Sequence, residues 1–498
     1  MIKHFFLDQH GCAKNQVDGE LLIGILSGMG WKKTLIPEKA DLIIVNSCGF
    51  IEPAKAESIE AVITARTAYP AAKILLAGCL AERYGEVFKD ELQEADAFFG
   101  NGDLSKLPEI VAQLFPEGKG AVQSGSSPES GTGFRRTIGI PASPQPVFRP
   151  FLKPPQEGVC SGLRPEVLNF PRSAFIKITE GCNNYCTFCA IPIIRGAVRS
   201  RPAADITGEI QSFVNRGYKE FNLIGQDLAA YEIDTPFHQS GNAETSALSG
   251  LAQLLIAISR IEGSFTVRLL YIHPDHFPLD ILPVMVHDSR FLPYFDIPFQ
   301  SGSAPIIRAM NRCGSPETYR QLVDTIRAAF RDAESPYGEA VIRTTFLTGF
   351  PGETQEDFER TAAFLHEVGS LWAGAFAYSR EEGTPAARMK KQIPSKIAEQ
   401  RKTLLNELQL KITEKKLAAF CGQELEVLIE ELIPQAEDED GCIALGRAWF
   451  QAPEVDGAVV VNFSEEQKDS EGNAIAAGSL VRVRITTLRG IDLEAVVV

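Results

Sequence analysis

Residues 180–192 read EGCNNYCTFCAIP and carry three cysteines, Cys182, Cys186 and Cys189, in a C-x3-C-x2-C spacing. A disulfide framework needs an even number of sulfurs, and the common cysteine zinc sites take four ligands. An iron-sulfur cube held by three thiolates has one iron without a protein ligand, which is free to bind a substrate or cofactor. The stretch therefore predicts a cluster with one open iron, although the spacing alone is also compatible with a zinc site or with chance.

The residues after Ser173 alternate between apolar strand patterns and helical patterns. The helices between the strands include ADITGEIQSFVNRG and ETYRQLVDTIRAAFRD. Six strand patterns are present: SAFIKIT, EFNLIG, FTVRLLY, YFDIPF, VIRTTFLTG and AGAFAYS. Six such units predict an open, partial (β/α)6 barrel of the TIM type, in which chemistry takes place at the carboxyl ends of the strands. The cysteine triplet follows the first of these strands.

The first 115 residues show the same alternation and predict a Rossmann-like parallel sheet with crossover helices. Cys12, Cys48 and Cys79 each stand just past a predicted strand, beside a glycine. The carboxyl ends of parallel strands line one crevice, so these three sulfurs are expected to converge into a second three-thiolate site. The alternative is that each is a small buried apolar residue.

Composition limits the class of protein. A chain of 498 residues with 44% hydrophobic and 23% charged residues is typical of a globular protein with several domains. No apolar run reaches the length of about 18 residues that a membrane span requires. The first residues carry charges where a signal peptide needs an apolar stretch. We therefore expect a cytoplasmic protein, whose cysteines stay reduced and serve metal or catalytic roles.

The last 78 residues, 421–498, read as short strands separated by turns and predict a small antiparallel β-barrel. They contain sixteen acidic and five basic residues, a net charge of -11 out of -15 for the whole chain. Such a module repels phosphate backbones and attracts a basic partner, although solubility alone also explains the charge.

These patterns divide the chain into five predicted parts. They are an N-terminal domain (1–115), a flexible insertion or linker (116–171), a barrel domain (172–394), a linker helix (395–420) and the acidic barrel (421–498).

The C-x3-C-x2-C motif followed by a partial barrel resembles the radical S-adenosylmethionine (SAM) superfamily. That resemblance implies that Cys182, Cys186 and Cys189 hold a 4Fe-4S cluster whose fourth iron binds S-adenosylmethionine. The whole arrangement is similar to the methylthiotransferases. In that family an N-terminal domain adds a second 4Fe-4S cluster, here implied at Cys12, Cys48 and Cys79, and a TRAM barrel ends the chain.

Several stretches resemble the ribosomal-protein branch of that family, called RimO. The tRNA branch shows glutamine-methionine-asparagine where this chain has Ala13, Lys14 and Asn15, and valine-arginine where it has Phe50 and Ile51. The stretches that carry the resemblance are HGCAKNQVDGE, VNSCGFIEPAKAESIEAV, GCLAERY, FAYSREEGTPAA and GRAWFQAPEVDG. The resemblance implies methylthiolation of an aspartate β-carbon in ribosomal protein S-twelve of the small subunit. That substrate is a basic protein, which the acidic barrel is suited to bind, whereas tRNA is disfavoured.

The resemblance further implies that one S-adenosylmethionine donates a methyl group to sulfur and a second supplies a radical that takes hydrogen from the substrate. An electron donor such as flavodoxin or ferredoxin is required. For cofactor binding we nominate Gln226, Gly349 and Glu353, which follow predicted strands. A turn requirement at Gly349 and a helix N-terminal charge at Glu353 are the alternatives.

Two other functions stay open at this stage. One is methylthiolation of an isopentenyl- or threonylcarbamoyl-adenosine in tRNA, and the other is an iron-sulfur electron-transfer or binding protein. The chain also departs from the family at Ser301, Asn311 and Cys313. No role is assigned to Cys313 or to the remaining cysteines, Cys160, Cys421 and Cys442.

Overall fold

The computed structural model describes residues 2–116, 161–232, 248–333, 335–434 and 441–498. Most of the predicted insertion, 116–171, lies outside the described residues, and so does Cys160. Among the residues that are described, no helix combines the length and the apolarity needed to cross a bilayer.

The N-terminal domain is a parallel sheet in the order β2-β1-β3-β4-β5, with helices against it. Its elements are β1 His4–Gln9, α1 Ala13–Gly28, β2 Lys32–Lys33, β3 Leu42–Ser47, α2 Glu52–Ala68, β4 Lys73–Gly78, α3 Cys79–Glu91, β5 Ala97–Phe99 and α4 Leu107–Leu114. Every residue of the central strand β3 is buried, because helices cover both faces of the sheet. The predicted sheet is confirmed, with the short edge strand β2 added to it.

The middle domain is a six-stranded parallel sheet in the order β13-β12-β11-β10-β9-β6. Its elements are β6 Ser173–Lys177, β7 Thr179–Glu180, α5 Ile191–Ile194, β8 Arg199–Ser200, α6 Ala203–Asn215, β9 Glu220–Ile224, α7 Gly250–Ser259, β10 Thr266–Leu269, α8 Ile281–His287, β11 Phe291–Asp296, α9 Ala304–Ala309, α10 Pro316–Asp332, β12 Val341–Thr348, α11 Gln355–Val368, β13 Trp372–Ala377 and α12 Ser395–Leu417. The two edge strands, β6 and β13, do not pair, so the barrel is open as predicted.

Helix α12, predicted as a linker, packs against the edge of this domain. Gln409 donates a hydrogen bond to the carbonyl of Ser370 at 3.1 Å, and Thr413 donates to the carbonyl of Leu371 at 2.7 Å. Its buried side chains recur about every four residues along one face. The helix thus belongs to the outer layer of the middle domain.

The C-terminal domain is a closed five-stranded barrel in the order β14-β15-β16-β18-β17. Its strands are β14 Glu424–Ile433, β15 Cys442–Arg447, β16 Val459–Phe463, β17 Leu480–Arg489 and β18 Asp492–Val497. Four adjacent pairs are antiparallel as predicted, but β16 and β18 run parallel and close the barrel.

Strand β15 was not predicted from the sequence. Two of its residues, Ala444 and Gly446, are small and pair with the neighbouring strand β14. A Cβ added at Gly446 would lie 2.6 Å from the carbonyl oxygen of Leu428, so the position accepts only glycine. Small residues weaken the usual strand pattern, which explains the omission.

The docking loop, residues 446–457, joins the small barrel to the middle domain. Its Phe450 carbonyl accepts a hydrogen bond from Trp372 Nε1 at 2.6 Å. Its Asp456 carboxylate accepts one from the Tyr294 hydroxyl at 2.6 Å. Trp372 is the first residue of β13. The docking loop therefore covers the amino-terminal ends of the parallel strands, opposite the end that carries the cysteine triplet.

A buried ion cluster reinforces this interface. The Glu220 carboxylate, at the start of β9, pairs with Arg268 at 2.5 Å and with Arg447 of the docking loop at 2.7 Å. Burial acts to raise the pKa of Glu220, but the charges of Arg447 and Arg268 outweigh it and hold the pKa well below its usual range. Arg447 also pairs with Glu430. The Glu220 carboxylate thus links two buried guanidinium groups from different domains.

The variant Glu220→Gln is expected to lower the free energy of unfolding by about 3–5 kcal/mol, because the buried Arg268 loses its counter-charge and Arg447 keeps only that of Glu430. Urea unfolding followed by tryptophan fluorescence measures this loss, since Trp372 and Trp449 lie at the interface. Glu424→Gln is the matched control, because Glu424 pairs with two arginines on the exposed barrel surface. Equal, small changes in the two variants would contradict the assignment.

Candidate functional site

The first cysteine triplet lies at one edge of the N-terminal sheet. Cys12 immediately precedes α1, Cys48 follows β3, and Cys79 opens α3 after β4. Strands β1, β3 and β4 are parallel neighbours, so their carboxyl ends meet. The loops touch: a Cβ at Gly11 would lie 3.2 Å from Cys48 Cβ, and one at Gly49 would lie 2.8 Å from the Cys79 carbonyl oxygen. The structure thus brings together the three cysteines that the sequence nominated.

Amide and guanidinium groups surround the innermost of these sulfurs. Cys79 is buried, whereas Cys12 is exposed, and all three thiols are free. Asn101 Nδ2 donates to Cys79 Sγ at 3.2 Å, and Arg195 Nη2 donates to the same sulfur at 3.3 Å. Burial raises the pKa of Cys79 to about 12. Two donors directed at a sulfur suit a thiolate ligand, whose charge they stabilise.

The second triplet lies in the loop between β7 and α5. Cys182 N donates to the Gly196 carbonyl at 3.1 Å, and Cys189 N donates to the Cys186 carbonyl at 2.9 Å. His273 Nε2 lies 3.8 Å from Cys186 Sγ. Burial raises the pKa of Cys189 to about 12 and also raises that of Cys182. The loop is compact; Cys186 is buried, and Cys182 and Cys189 are partly buried.

Neither triplet resembles a site for a single ion. Within the described ranges, no three His, Cys, Asp or Glu side chains stand close enough to hold one metal ion. A zinc ion draws its thiolates to about 2.3 Å from one centre, whereas a four-iron cube separates them by the cube's own width. That each triplet holds an iron-sulfur cube stays a prediction.

A buried charge network lies between the two triplets. Lys177 Nζ pairs with Asp18 at 2.5 Å and with Glu180 at 2.7 Å. Arg195 pairs with Glu180 and, at 3.0 Å, with Asp18, in addition to its contact with Cys79. Burial acts to raise the pKa of Glu180, but Arg195 and Lys177 outweigh it and lower the pKa to about 2.

This network joins the domains at their functional edges. Asp18 belongs to α1 of the N-terminal domain, and Arg195 follows the second cysteine loop. Because Arg195 reaches Cys79, both triplets border the interface between the N-terminal domain and the middle domain. We call this interface the seam. Sequence reasoning did not single out Asp18, Lys177 or Arg195. The sequence does show charged residues near each triplet. It does not show which acidic residue forms an ion pair with which basic residue.

Lys14 also lies near the first cysteine triplet, and no role was assigned to it from the sequence. Its side chain is nearly buried, and Nζ lies 3.1 Å from the centre of the Tyr271 ring. Burial lowers the pKa of Lys14 to about 8. Among the described residues, its ammonium has no hydrogen-bond or ion-pair partner. Tyr271 itself has φ 70°, a left-handed conformation that is costly for a tyrosine.

The predicted cofactor residue Gln226 follows β9 at the carboxyl edge of the sheet. Its Oε1 is buried without a hydrogen-bond partner among the described residues, and so is Thr179 Oγ1. The two segments are adjacent, since a Cβ at Gly225 would lie 2.1 Å from Thr179 Oγ1. Buried acceptors without partners are costly, which fits a site that a polar ligand completes.

Gly349 and Glu353 follow β12 and shape their own loop. The Glu353 carboxylate accepts from Gly349 N at 2.7 Å and pairs with Arg401. Gly349 has φ 74°, and a Cβ there would lie 2.3 Å from Ala398 Cβ. These contacts account for both residues within the fold, and their contact with a cofactor stays a prediction.

The departures from the family pattern are accommodated locally. Asn311 adopts φ 61° and donates from Nδ2 to the Tyr185 carbonyl at 3.2 Å, which supports the second cysteine loop. Ser301 is buried and accepts a hydrogen bond from Ser303 N at 3.1 Å. Cys313 and Cys421 are exposed and lie outside both triplets, as does the partly buried Cys442.

Comparison with known proteins agrees with this arrangement. Residues 4–100 match an uncharacterized protein family, UPF0004, residues 176–365 match the radical SAM superfamily, and residues 421–498 match the TRAM domain. The chain is 56% identical to the ribosomal protein uS12 methylthiotransferase RimO of Treponema denticola, over 99% of this chain and 100% of that protein. The chain belongs to the RimO family. A RimO of Aquifex aeolicus is 36% identical over 97% of this chain and 94% of its own length.

The same architecture occurs in a solved structure. The radical S-adenosylmethionine methyltransferase TsrM of Kitasatospora setae, with tryptophan and a SAM analog bound, superposes with a TM-score of 0.51. The match covers 96% of this chain and 85% of TsrM at 14% identity, so it establishes the fold only. Membership in the RimO family and the radical SAM superfamily confirms the predicted enzyme class and implies a 4Fe-4S cluster and S-adenosylmethionine.

Proposed function

We propose that this chain transfers a methylthio group to the β-carbon of an aspartate in ribosomal protein uS12. The observation that carries the proposal is the convergence of two cysteine triplets on one seam, where Arg195 of one loop reaches Cys79 of the other at 3.3 Å. Methylthiolation needs both a radical source and a sulfur carrier, and a seam shared by two cluster sites suits that requirement. The RimO relatives are named ribosomal protein uS12 methylthiotransferases.

Cys182, Cys186 and Cys189 would hold one 4Fe-4S cluster, and Cys12, Cys48 and Cys79 a second. Bound there with S-adenosylmethionine, these groups would supply radical abstraction of a hydrogen atom and the sulfur chemistry, which side chains alone cannot perform.

The remaining contributions come from the chain itself. Asn101 and Arg195 orient and stabilise the Cys79 sulfur. Gln226 Oε1 and Thr179 Oγ1 offer buried acceptors to the amino and hydroxyl groups of the cofactor. The ion pairs of Asp18 with Lys177 and with Arg195 hold the seam closed against water, which protects reactive species.

The acidic barrel would recruit the basic substrate. Residues 421–498 carry a net charge of -11, and the exposed carboxylates of the barrel include Glu426, Glu431, Glu465 and Glu466. Such a surface attracts a basic ribosomal protein and repels tRNA phosphates. An electron donor such as flavodoxin or ferredoxin would complete the reaction. Because ribosomes are the substrate, the enzyme would act in the cytoplasm.

The direct test is anaerobic turnover with each of the two candidate substrates in separate reactions. Reconstituted protein, S-adenosylmethionine and a reductant are incubated with uS12-containing small subunits or with bulk tRNA, and the products are analysed by mass spectrometry. We expect the mass of one methylthio group on a single aspartate of uS12 and none on tRNA. Modification of tRNA alone would refute the proposal in favour of the tRNA branch.

A further inference from the structure

Within the described part of the chain, the ammonium of Lys14 lacks a counter-charge, whereas the neighbouring cations Lys177 and Arg195 form ion pairs. Its residue is 9% exposed, and among the described residues it forms no salt bridge and no hydrogen bond. A nearly buried charge without a counter-charge is destabilising, and the contact with the Tyr271 ring recovers only part of that cost. A position of this kind is suited to an anion that arrives from outside the chain.

The carboxylates near Lys14 are already committed to other cations. Asp18 and Glu180 serve Lys177 and Arg195, and Asp296 pairs with Arg343 at 3.1 Å. Lys14 is therefore a surplus cation rather than half of an internal pair.

Lys14 also lies where the two halves of the site meet. It is two residues from Cys12, and its partner Tyr271 is two residues from His273, which contacts Cys186. The Tyr271 carbonyl accepts from Leu228 N at 2.9 Å, close to Gln226. The Tyr271 hydroxyl has no hydrogen-bond partner in the part of the chain that the structure covers, so a donor group stands beside the ammonium.

We propose that Lys14, assisted by the Tyr271 hydroxyl, binds the side-chain carboxylate of the substrate aspartate and so positions its β-carbon. The inference rests on the proposed function and names the residues that select its substrate. The carboxylate is bonded directly to the β-carbon, so a cation that holds the carboxylate fixes the reacting carbon one bond away. In an adenosine base, no carboxylate is bonded to a ring carbon.

The decisive measurement is equilibrium binding without reductant, so that no turnover occurs. Reconstituted wild type and Lys14→Gln are titrated with uS12 and with a uS12 variant whose modified aspartate is replaced by asparagine. We expect wild type to prefer the aspartate form by about 10- to 100-fold, the range of a charge-assisted hydrogen bond, and Lys14→Gln to bind both forms equally. Lys14→Arg keeps the charge and should retain part of the preference.

Two controls separate this role from a structural one. Lys32→Gln removes an exposed charge of the same domain and should preserve the aspartate preference. Iron content and deoxyadenosine formation without uS12 should be the same in all variants, because Lys14 is assigned no part in holding a cluster. Loss of iron in both Lys14 variants would overturn the proposal and assign the lysine to the metal site.

The kinetic readout must agree with binding. In Lys14→Gln, kcat/KM for the aspartate substrate should fall about 10- to 100-fold while uncoupled deoxyadenosine formation persists. An aspartate preference that survives in Lys14→Gln overturns this inference and leaves the proposed function intact. Failure of the wild type to modify uS12 at all would overturn both.

Discussion

Replacing Cys182, Cys186 and Cys189 together by alanine is expected to abolish every activity of the enzyme. The iron content after anaerobic reconstitution should fall from about eight to about four per chain, because one of two 4Fe-4S sites is lost. Deoxyadenosine should no longer form, since reductive cleavage of S-adenosylmethionine depends on that site. Methylthiolated uS12 should be undetectable by mass spectrometry.

The exposed Cys421, which lies outside both triplets, provides the matched control. Cys421→Ala should keep the iron content and both products of the wild type. Because the three substitutions lie in one loop and change no helix or strand, the triple variant should retain the wild-type circular dichroism spectrum. Undiminished deoxyadenosine formation in the triple variant would show that the radical source lies elsewhere.

The triple alanine variant of Cys12, Cys48 and Cys79 is expected to separate the two halves of the reaction. Iron should again fall to about four per chain, but deoxyadenosine should still form, because the second triplet is intact. Methylthiolation should cease, since the sulfur carrier is missing. Mass spectrometry of uS12 and chromatography of the nucleoside products measure the two outcomes on one sample.

This second variant tests whether two clusters exist at all. An iron content of about four in the wild type, unchanged in the variant, would remove the N-terminal assignment. Full methylthiolation by the variant would remove it as well. The opposite behaviour of the two triple variants toward deoxyadenosine is therefore the sharpest evidence that the triplets have different roles.

Much of the fold could be predicted from strand patterns. The predicted strand HFFLDQ coincides with β1, and the predicted strand DLIIVNS contains β3 with one additional residue, Asp41, before it. Buried parallel strands are short apolar runs, and their alternation with helical patterns determines a parallel sheet. Strand β15 escaped prediction because its small residues meet a requirement of the neighbouring strand β14, which a local pattern does not contain.

The convergence of the cysteines was also accessible from the sequence. Each of Cys12, Cys48 and Cys79 stands at the end of a predicted strand, and parallel strands end on the same side. The partners of those cysteines were not accessible. The contact between Arg195 and Cys79 joins residues 116 positions apart in different domains.

The sequence by itself determined the fold class, the two sets of three thiols and the family, because these depend on local periodicity, spacing and motifs. Only the tertiary structure decided that both sets border one seam, that Asp18, Lys177, Glu180 and Arg195 neutralise one another there, and that Lys14 is left over. Whether a buried charge is satisfied depends on which distant side chains reach it within a few ångströms, and chain folding alone sets those distances.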